Sequence, residues 1–303
     1  MKVFVLHENP EWYPPIAAAF DEAGVEHEPW LLGAGPLDLD SEPPRGVFWS
    51  RMSASAHTRG HPYAKDHARA VLSWLESRGR RVVNGRGVLE LEMSKVQQLA
   101  ALRAAGIDVP RTVAVVGPEQ IADVAGKFAA PFIVKPNQGG KGLGVRRFES
   151  VEELSTYLDS PDHTPPVDGV TLVQEYVQAA QPFITRVEIV GGEFVYALTA
   201  DTARGGFELC PADACAVPGG ELFALRPDFD GHPLVAQYLD FARRNDIEIA
   251  GFEFIETADG RTVTYDVNTN TNYNPAIEAV APRSGPGSIA AYLARILADE
   301  AGR

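Results

Sequence analysis

Short apolar runs alternate with amphipathic stretches through the first part of the chain. Val3-Phe4-Val5-Leu6 reads as a strand that ends at the polar loop His7-Glu8-Asn9-Pro10, and a helix is predicted over Ile16 to Ala23 with Gly24 as its stop. Gly46 to Trp49, a helix over Ala64 to Ser77 and Val82-Val83 continue the alternation, so residues 1–90 are expected to form a small α/β domain. Met93, Val96, Leu99 and Leu102 recur every three residues on good helix formers, which predicts one helix over Leu89 to Ala105, closed by Gly106. After the turn at Ile107-Asp108-Val109-Pro110, the pattern gives a strand at Thr112 to Val116, a helix over Pro118 to Phe128, and strands at Phe132 to Lys135 and Val145 to Phe148. Ser150 and Glu153 have the spacing of a capping box, and a new helix starts there.

Ser160 to Asp168 holds three prolines and is read as a surface loop between subdomains. Strands follow near Val170 to Tyr176, Phe183 to Val190 and Glu193 to Thr199, with helices at Pro233 to Arg244 and Ser288 to Ala298. The expected class is α+β, mixed α/β with several antiparallel strands in the second half. Three units are expected, over residues 1–90, 91–168 and 169–303.

Charge narrows the function classes. Acidic residues outnumber basic ones by 41 to 27 in the 303-residue chain, a net charge of −14. That balance argues against a nucleic-acid or anionic membrane partner, because affinity for polyanionic surfaces comes from clustered Lys and Arg. Only Val3 to Leu6 precede the polar loop at the N-terminus, and nowhere do 18 apolar residues run together. Neither a secretory segment nor a membrane span is predicted, and a cytoplasmic location is expected. Cys210 and Cys215 alone cannot build a disulfide framework or a zinc set, so both are expected to be reduced thiols.

Two constellations carry chemistry. Lys135-Pro136-Asn137-Gln138-Gly139-Gly140-Lys141-Gly142-Leu143-Gly144 puts four glycines and two lysines in a loop after an apolar strand. Exposed backbone N–H groups and ammonium groups are what a polyphosphate needs. The order is not that of a Walker A loop, and the loop feeds a strand rather than a helix, so it is not a Rossmann fingerprint either. It reads as a lid joining two antiparallel strands; standing alone, an ordinary glycine-rich hairpin would look the same.

The second constellation is a hairpin. Gly251 to Glu256 and Thr262 to Asn268 are two strands joined through Asp259-Gly260, the dipeptide favoured in a two-residue type I′ turn. That turn would set Ala258 opposite Arg261 and Glu253 opposite Asp266. Directly opposed Cβ atoms are about 4.5–5.5 Å apart, where like charges repel unless something compensates them. Asn268 shares the face of Asp266, and its partner Gly251 leaves room beside it. Two carboxylates and an amide oxygen make a hard-oxygen site suited to Mg²⁺. Phe252, Phe254, Tyr265 and Val267 are expected on the other face, so a solvated acidic hairpin over an apolar core is the alternative reading.

In chain order, Met93-Ser94-Lys95 through Gly106 to Thr112, Phe132 to Pro136 with its glycine loop, Val173-Gln174-Glu175-Tyr176-Val177, Thr185-Arg186-Val187 and the Glu253…Asp266-Val267-Asn268 hairpin resemble the ATP-grasp superfamily. Within it, they resemble the RimK-like and glutathione-synthetase-like carboxylate–amine ligases. The resemblance implies an ATP-grasp fold behind an N-terminal α/β domain. It implies that Lys95 and Lys135 bind ATP phosphates, and that Lys141 with Gly140, Gly142 and Gly144 forms the phosphate lid. Glu175, Tyr176 and Val177 would form the linker that reads adenine through its backbone. Glu253, Asp266 and Asn268 would hold magnesium, as two ions and with Mn²⁺ as an alternative, and Arg186 would sit near the transferred phosphate.

Two features depart from the family pattern. Asp266 stands where the second metal acid is usually Glu, and Gln178 and Gln181 stand in the region that usually supplies an acid to the ribose hydroxyls. The implied activity is ATP-dependent joining of an amino-acid or peptide carboxylate to an amine through an acyl phosphate. Such chemistry needs positioning and charge neutralisation rather than a covalent enzyme nucleophile, and the chain holds no Gly-x-Ser-x-Gly. The alternatives are an ATP-grasp kinase acting on a hydroxyl and a non-catalytic nucleotide sensor. Arg204, Arg283 and the loop Thr269 to Pro275, with Asn270 and Asn272, are candidate substrate contacts. His57 and His61 are read as loop residues rather than a metal pair, and a homo-oligomer is left open.

Overall fold

The computed structural model describes residues 1–205 and 222–302. The N-terminal unit consists of β1 (Lys2–His7), α1 (Pro14–Glu22), β2 (His27–Leu31), β3 (Gly46–Ser50), α2 (Ala64–Ser77) and β4 (Arg81–Val83). Its sheet runs β2-β1-β3-β4, with every pair parallel. The period of two divides β1 between two cores. Val3 and Val5 pack with Ile16 and Phe20 of α1, whereas Phe4 and Leu6 pack with Leu72 and Leu75 of α2. Chain order reverses between β1 and β3, and the carboxyl ends of those neighbours are where an open parallel sheet presents a crevice.

The helix expected over Leu89–Ala105 is two helices, α3 (Arg86–Met93) and α4 (Lys95–Ala104), broken at Ser94. A three-residue apolar repeat drifts about 60° per step around a 3.6-residue helix, so one straight helix could not keep it on one face. The break resolves the conflict: Met93 packs in the N-terminal unit, Leu99 and Leu102 pack in the C-terminal one, and Val96 is left exposed. Ser94 is extended, and its hydroxyl accepts from the Gln97 N–H at 3.3 Å.

The middle unit comprises β5 (Thr112–Val116), α5 (Ile121–Ala125), β6 (Phe132–Pro136), β7 (Arg146–Phe148), α6 (Val151–Leu158) and β8 (Val170–Glu175). These strands form an antiparallel sheet in the order β5-β8-β6-β7. β8 therefore carries this sheet past the boundary expected at 168. α5 is shorter than the predicted 118–128 helix, because Ile121 and Ala125 give it one buried edge and the chain turns at Gly126. The glycine loop does connect two antiparallel strands, β6 and β7. The Ser150 hydroxyl accepts from the Glu153 N–H at 3.1 Å, and Glu153 reaches back to the Glu149 N–H at 2.8 Å.

The C-terminal unit contains β9 (Phe183–Val190), β10 (Glu193–Asp201), α7 (Thr202–Gly205), β11 (Phe223–Leu225), α8 (Pro233–Arg244), β12 (Ile249–Glu256), β13 (Thr262–Asn268), α9 (Pro275–Glu278) and α10 (Gly285–Ala301). The sheet order is β11-β10-β9-β12-β13, antiparallel throughout. Val187, Ile189, Phe252, Phe254 and Val267 pack against Tyr238 and Phe241 of α8 and Leu99 and Leu102 of α4. On the other face of the sheet, Ile289 and Leu293 of α10 join Val190 and Ile249 to Val3 and Trp49 of the N-terminal unit.

β13 is an edge strand, and two side contacts cover its open backbone. The Gln98 amide of α4 donates to Val267 C=O at 2.9 Å and accepts from Val267 N–H at 3.1 Å, while Asp108 C=O accepts from Thr264 N–H at 2.8 Å. Asn84, just after β4, fixes the far end of the hairpin. Its φ of 54° is a left-handed conformation that asparagine tolerates. Its oxygen accepts from Glu248 N–H at 3.0 Å and Ile249 N–H at 3.3 Å, and its NH₂ donates to Ile249 C=O at 2.8 Å and Thr269 C=O at 3.3 Å.

Asn84→Ala leaves these buried groups unpaired and places alanine at positive φ. It is expected to lower stability by about 2–4 kcal/mol in urea unfolding. A loss below about 0.5 kcal/mol, the range of ordinary surface substitutions, would show that Asn84 does not tie the units together.

Candidate active site

The register of three strands places the charged residues in a grid. Arg186 of β9 faces Glu253 of β12, which faces Asp266 of β13; in the next row Glu188, Gly251 and Asn268 stand side by side. Glu253 opposite Asp266 and Gly251 opposite Asn268 are the pairs expected from the sequence, but a different route produces them. The tight turn holds three residues, Ala258, Asp259 and Gly260, with Thr257 C=O accepting from Gly260 N–H at 3.0 Å and Gly260 at φ 86°. Ala258 therefore does not pair with Arg261, and the ladder begins one residue out of the expected register, with Glu256 opposite Thr262. A bulge between Thr264 and Asp266 takes up Tyr265 and restores the offset.

The bulge also corrects the face assigned to Tyr265. Its hydroxyl donates to Glu253 Oε2 at 2.9 Å, so it lies on the charged side instead of with Phe252, Phe254 and Val267. The room beside Gly251 is likewise filled by protein. A Cβ there would stand 2.7 Å from both Nε and Nη2 of Arg186, whose guanidinium crosses above the glycine.

Opposed carboxylates persist because cations flank them. Arg186 Nη1 donates to Glu253 Oε1 at 3.0 Å, Arg186 Nε donates to Glu188 Oε1 at 2.5 Å, and Lys95 Nζ donates to Asp266 Oδ1 at 2.6 Å. The Asn268 NH₂ also donates to Glu253 Oε1 at 3.2 Å. Burial raises the pKa of Glu253, with Arg186 opposing that shift. Burial depresses Lys95, but Asp266, Glu92 and Glu253 more than offset it and the net direction is upward. Lys135, buried and next to Lys95, is pushed down to about 7.

These residues line one cleft of about 600 Å³. Lys95, Lys135, Gly140, Lys141, Gly142 and Arg186 lie along it, as do the linker residues Glu175, Tyr176 and Val177 and the hairpin residues Glu253, Asp266 and Asn268. Gln178 and Gln181 are on the wall beside the linker. Gly144 is in the lid at φ 75°, close beneath Pro136. The Glu175 carboxylate accepts from Arg111 N–H at 2.9 Å, and Arg147 stacks on the Tyr176 ring at 4.6 Å.

The far end is built by the N-terminal unit and the chain after β13. Trp12, Ser53, Ser55, Asn270 and Asn272 line it. Arg51, fully buried, joins the two by donating to Trp12 C=O at 3.0 Å, Thr271 C=O at 2.9 Å and Asn272 Oδ1 at 3.0 Å. Lys141 of the lid and Arg59 both stack on Trp12, at 5.1 and 4.6 Å from the ring centroid. Sequence reading missed Arg51, Trp12 and Glu92. Glu92 lines the cleft and accepts from Thr269 N–H at 2.7 Å and its hydroxyl at 2.8 Å. Nothing in its helical spacing distinguishes it from Glu90, which pairs with Arg69 outside the cleft.

Other candidates separate. Arg204 belongs to α7, whose Thr202 and Ala203 line the cleft. Arg283 is elsewhere, bonded to Glu193 at 2.9 Å and Phe194 C=O at 3.2 Å. His57 sits in a short 3₁₀ turn, Ala56–Arg59, and His61 follows Gly60 at φ 80°. Among the described residues no group of three or more His, Cys, Asp or Glu forms a metal cluster. The two carboxylates and the amide oxygen of Asn268, whose NH₂ is already committed, nevertheless suit Mg²⁺, which takes few protein ligands and completes its shell with phosphate and water oxygens. Cys210 and Cys215 lie outside the described residues. No helix among the described residues is long and apolar enough to cross a membrane.

Residues 93–213 match the RimK-like ATP-grasp domain. Alpha-aminoadipate–LysW ligase LysX of Sulfurisphaera tokodaii is 28% identical over 122 residues, 40% of this chain and 41% of that protein. Ribosomal protein bS6–L-glutamate ligase of Shigella boydii serotype 4 is 29% identical over 139 residues, 46% of this chain and 45% of that protein. Both matches span less than half the length of those relatives. The solved structure of the ATP-grasp ligase PsnB, complexed with a phosphomimetic variant of its minimal precursor, Mg and ADP, superposes with a TM-score of 0.63 at 17% identity, covering 97% of this chain and 98% of that one. The chain has the ATP-grasp fold, and its similarity to the RimK-like domain extends over residues 93–213.

Lys135 gives a thermodynamic test of the phosphate end. With a pKa near 7 it is mostly neutral at pH 8, and a polyanion beside it raises that pKa, so nucleotide binding at pH 8 should take up about one proton. Calorimetry in buffers of different ionisation enthalpy reads that uptake, and Lys135→Met should remove it. Binding with no proton uptake would place the phosphates away from Lys135.

Proposed function

We propose that the chain is an ATP- and Mg²⁺-dependent ligase that joins a carboxylate to an amine, with an amino acid or peptide supplying each group. The observation that carries this reading is the Arg186–Glu253–Asp266 row, which faces the same cleft as Lys95, Lys135 and the Lys141 lid. The curated relatives are named as ligases of α-aminoadipate with LysW and of L-glutamate with ribosomal protein bS6.

Adenine would lie against the backbone of Glu175, Tyr176 and Val177, with the triphosphate running toward Lys95, Lys135 and Lys141. Glu253, Asp266 and Asn268 would hold the magnesium, which supplies Lewis-acid neutralisation of phosphate charge. Arg186 stabilises the negative charge that spreads over the transferred phosphoryl oxygens. A substrate carboxylate oxygen attacks the γ-phosphorus and ADP departs, leaving an acyl phosphate. An amine nitrogen in the same cleft then attacks the acyl carbon, loses its proton and expels phosphate. Each step needs reactants aligned within one water-poor space. Trp12, Ser53, Ser55, Asn270 and Asn272 would contact the substrates at the far end, and Arg204 would be a further substrate contact.

A phosphate-release assay over pools of amino acids and peptides tests the assignment. Turnover should require a carboxylate and an amine together. ADP formation with an alcohol alone would make the protein a kinase, and nucleotide binding without turnover across broad pools would make it a sensor. Glu253→Gln and Asp266→Asn should each cut magnesium-dependent turnover by about 100-fold or more, with an unchanged circular dichroism spectrum. Retained activity in both would remove the metal assignment.

A further inference from the structure

Glu188 has no role in the chemistry above, yet it is a carboxylate buried to 1% exposure directly behind Arg186. A buried acid is costly unless it is paired, and a well-packed apolar residue at such a position is often no less stable. Among the described residues Glu188 has one ion-pair partner, Arg186, through Nε at 2.5 Å, and its second oxygen has none. Its neighbour across the ladder, Tyr196, turns its hydroxyl instead to Glu278 at 2.7 Å.

The consequence lies in how the guanidinium is shared. An arginine facing a glutamate tends to form a two-pronged pair that occupies both carboxylate oxygens. Here Glu188 takes Nε, Glu253 receives only Nη1 at 3.0 Å, and Tyr265 holds the other Glu253 oxygen at 2.9 Å. The arrangement needs the space above Gly251, which any Cβ would close. It leaves Arg186 Nη2 buried and, among the described residues, without a protein partner, on a residue that lines the cleft.

We propose that Glu188 is a positioning residue for Arg186: it holds the guanidinium across Gly251 so that Nη2 is presented to an oxygen of the transferred phosphoryl group. This rests on the reading of the cleft as a triphosphate site. Glu188 itself touches no substrate. Its negative charge and its backward pull on Nε set which edge of the arginine faces the reacting group.

The test compares the affinities of the whole protein for ADP and for the non-hydrolysable triphosphate AMPPNP, both with Mg²⁺, by calorimetry. Wild type should prefer AMPPNP, and Glu188→Gln should lose about tenfold of that preference while its ADP affinity stays unchanged. Arg186→Ala should lose the same preference, and the double variant should lose no more than Arg186→Ala alone, because both act through one contact. Gly251→Ala keeps both charges and should reproduce the loss by displacing the guanidinium, which provides the test should Glu188→Gln fold poorly. An unchanged preference in Glu188→Gln, equal weakening of ADP and AMPPNP, or additive losses in the double variant would overturn the role of Glu188. A wild-type protein without any preference for AMPPNP would instead remove the triphosphate reading, and the proposal with it.

Discussion

Two carboxylates held opposite each other on a buried sheet face set the conditions for the rest of the site. Glu253 and Asp266 repel at such a distance, and the structure answers with a cation on each flank, Arg186 for one and Lys95 for the other. Neither cation can be loosely tethered, since an unpaired buried charge costs more than the pair returns. Hence Arg186 comes from the adjacent strand, in register, and Lys95 from the first turn of a helix fixed to the edge of β13 by Gln98. Lys95 sits at the positive end of α4, where a cation is disfavoured. Asp266 and Glu92 supply the compensating negative charge.

The same logic explains how an acidic protein gathers cations in one cleft. Its net charge is −14, yet the cleft gathers Lys95, Lys135, Lys141 and Arg186. All three units contribute: α4 and the lid on one side, the β9-β12-β13 face on another, and the loops after β1 and β3 at the far end. The junction of the N-terminal and C-terminal units carries buried hydrogen bonds from single side chains, Asn84 and Arg51, to the backbone of the segments around the hairpin.

Much of the site was readable along the chain because strand alternation is short-ranged. A period of two fixes which residues share a face, so Asp266 with Asn268 and Glu253 with Gly251 followed from spacing alone. Applied to β9, the same rule would have coupled Glu188 to Arg186, but a lone Glu in an apolar strand carries no signal of what lies behind it. The hairpin shows how a correct pairing can come from an incorrect turn: the three-residue turn and the Tyr265 bulge each shift the ladder by one, and the shifts cancel at the acids. Tyr265 itself was misplaced for that reason. Glu92, Arg51 and Trp12 were invisible because their partners are distant in sequence, and no local pattern encodes them.

The sequence by itself determined the alternation of strands and helices, the glycine lid between two strands, and the facing acids, since each depends on residues within one hairpin or one helical turn. Tertiary structure alone decided the break at Ser94, the placement of β8 in the middle sheet, and the clamp of Arg186 between Glu188 and Glu253. Those outcomes turn on which of two cores a side chain enters and on how buried charges find partners, and both are settled only when segments far apart in the chain are packed together.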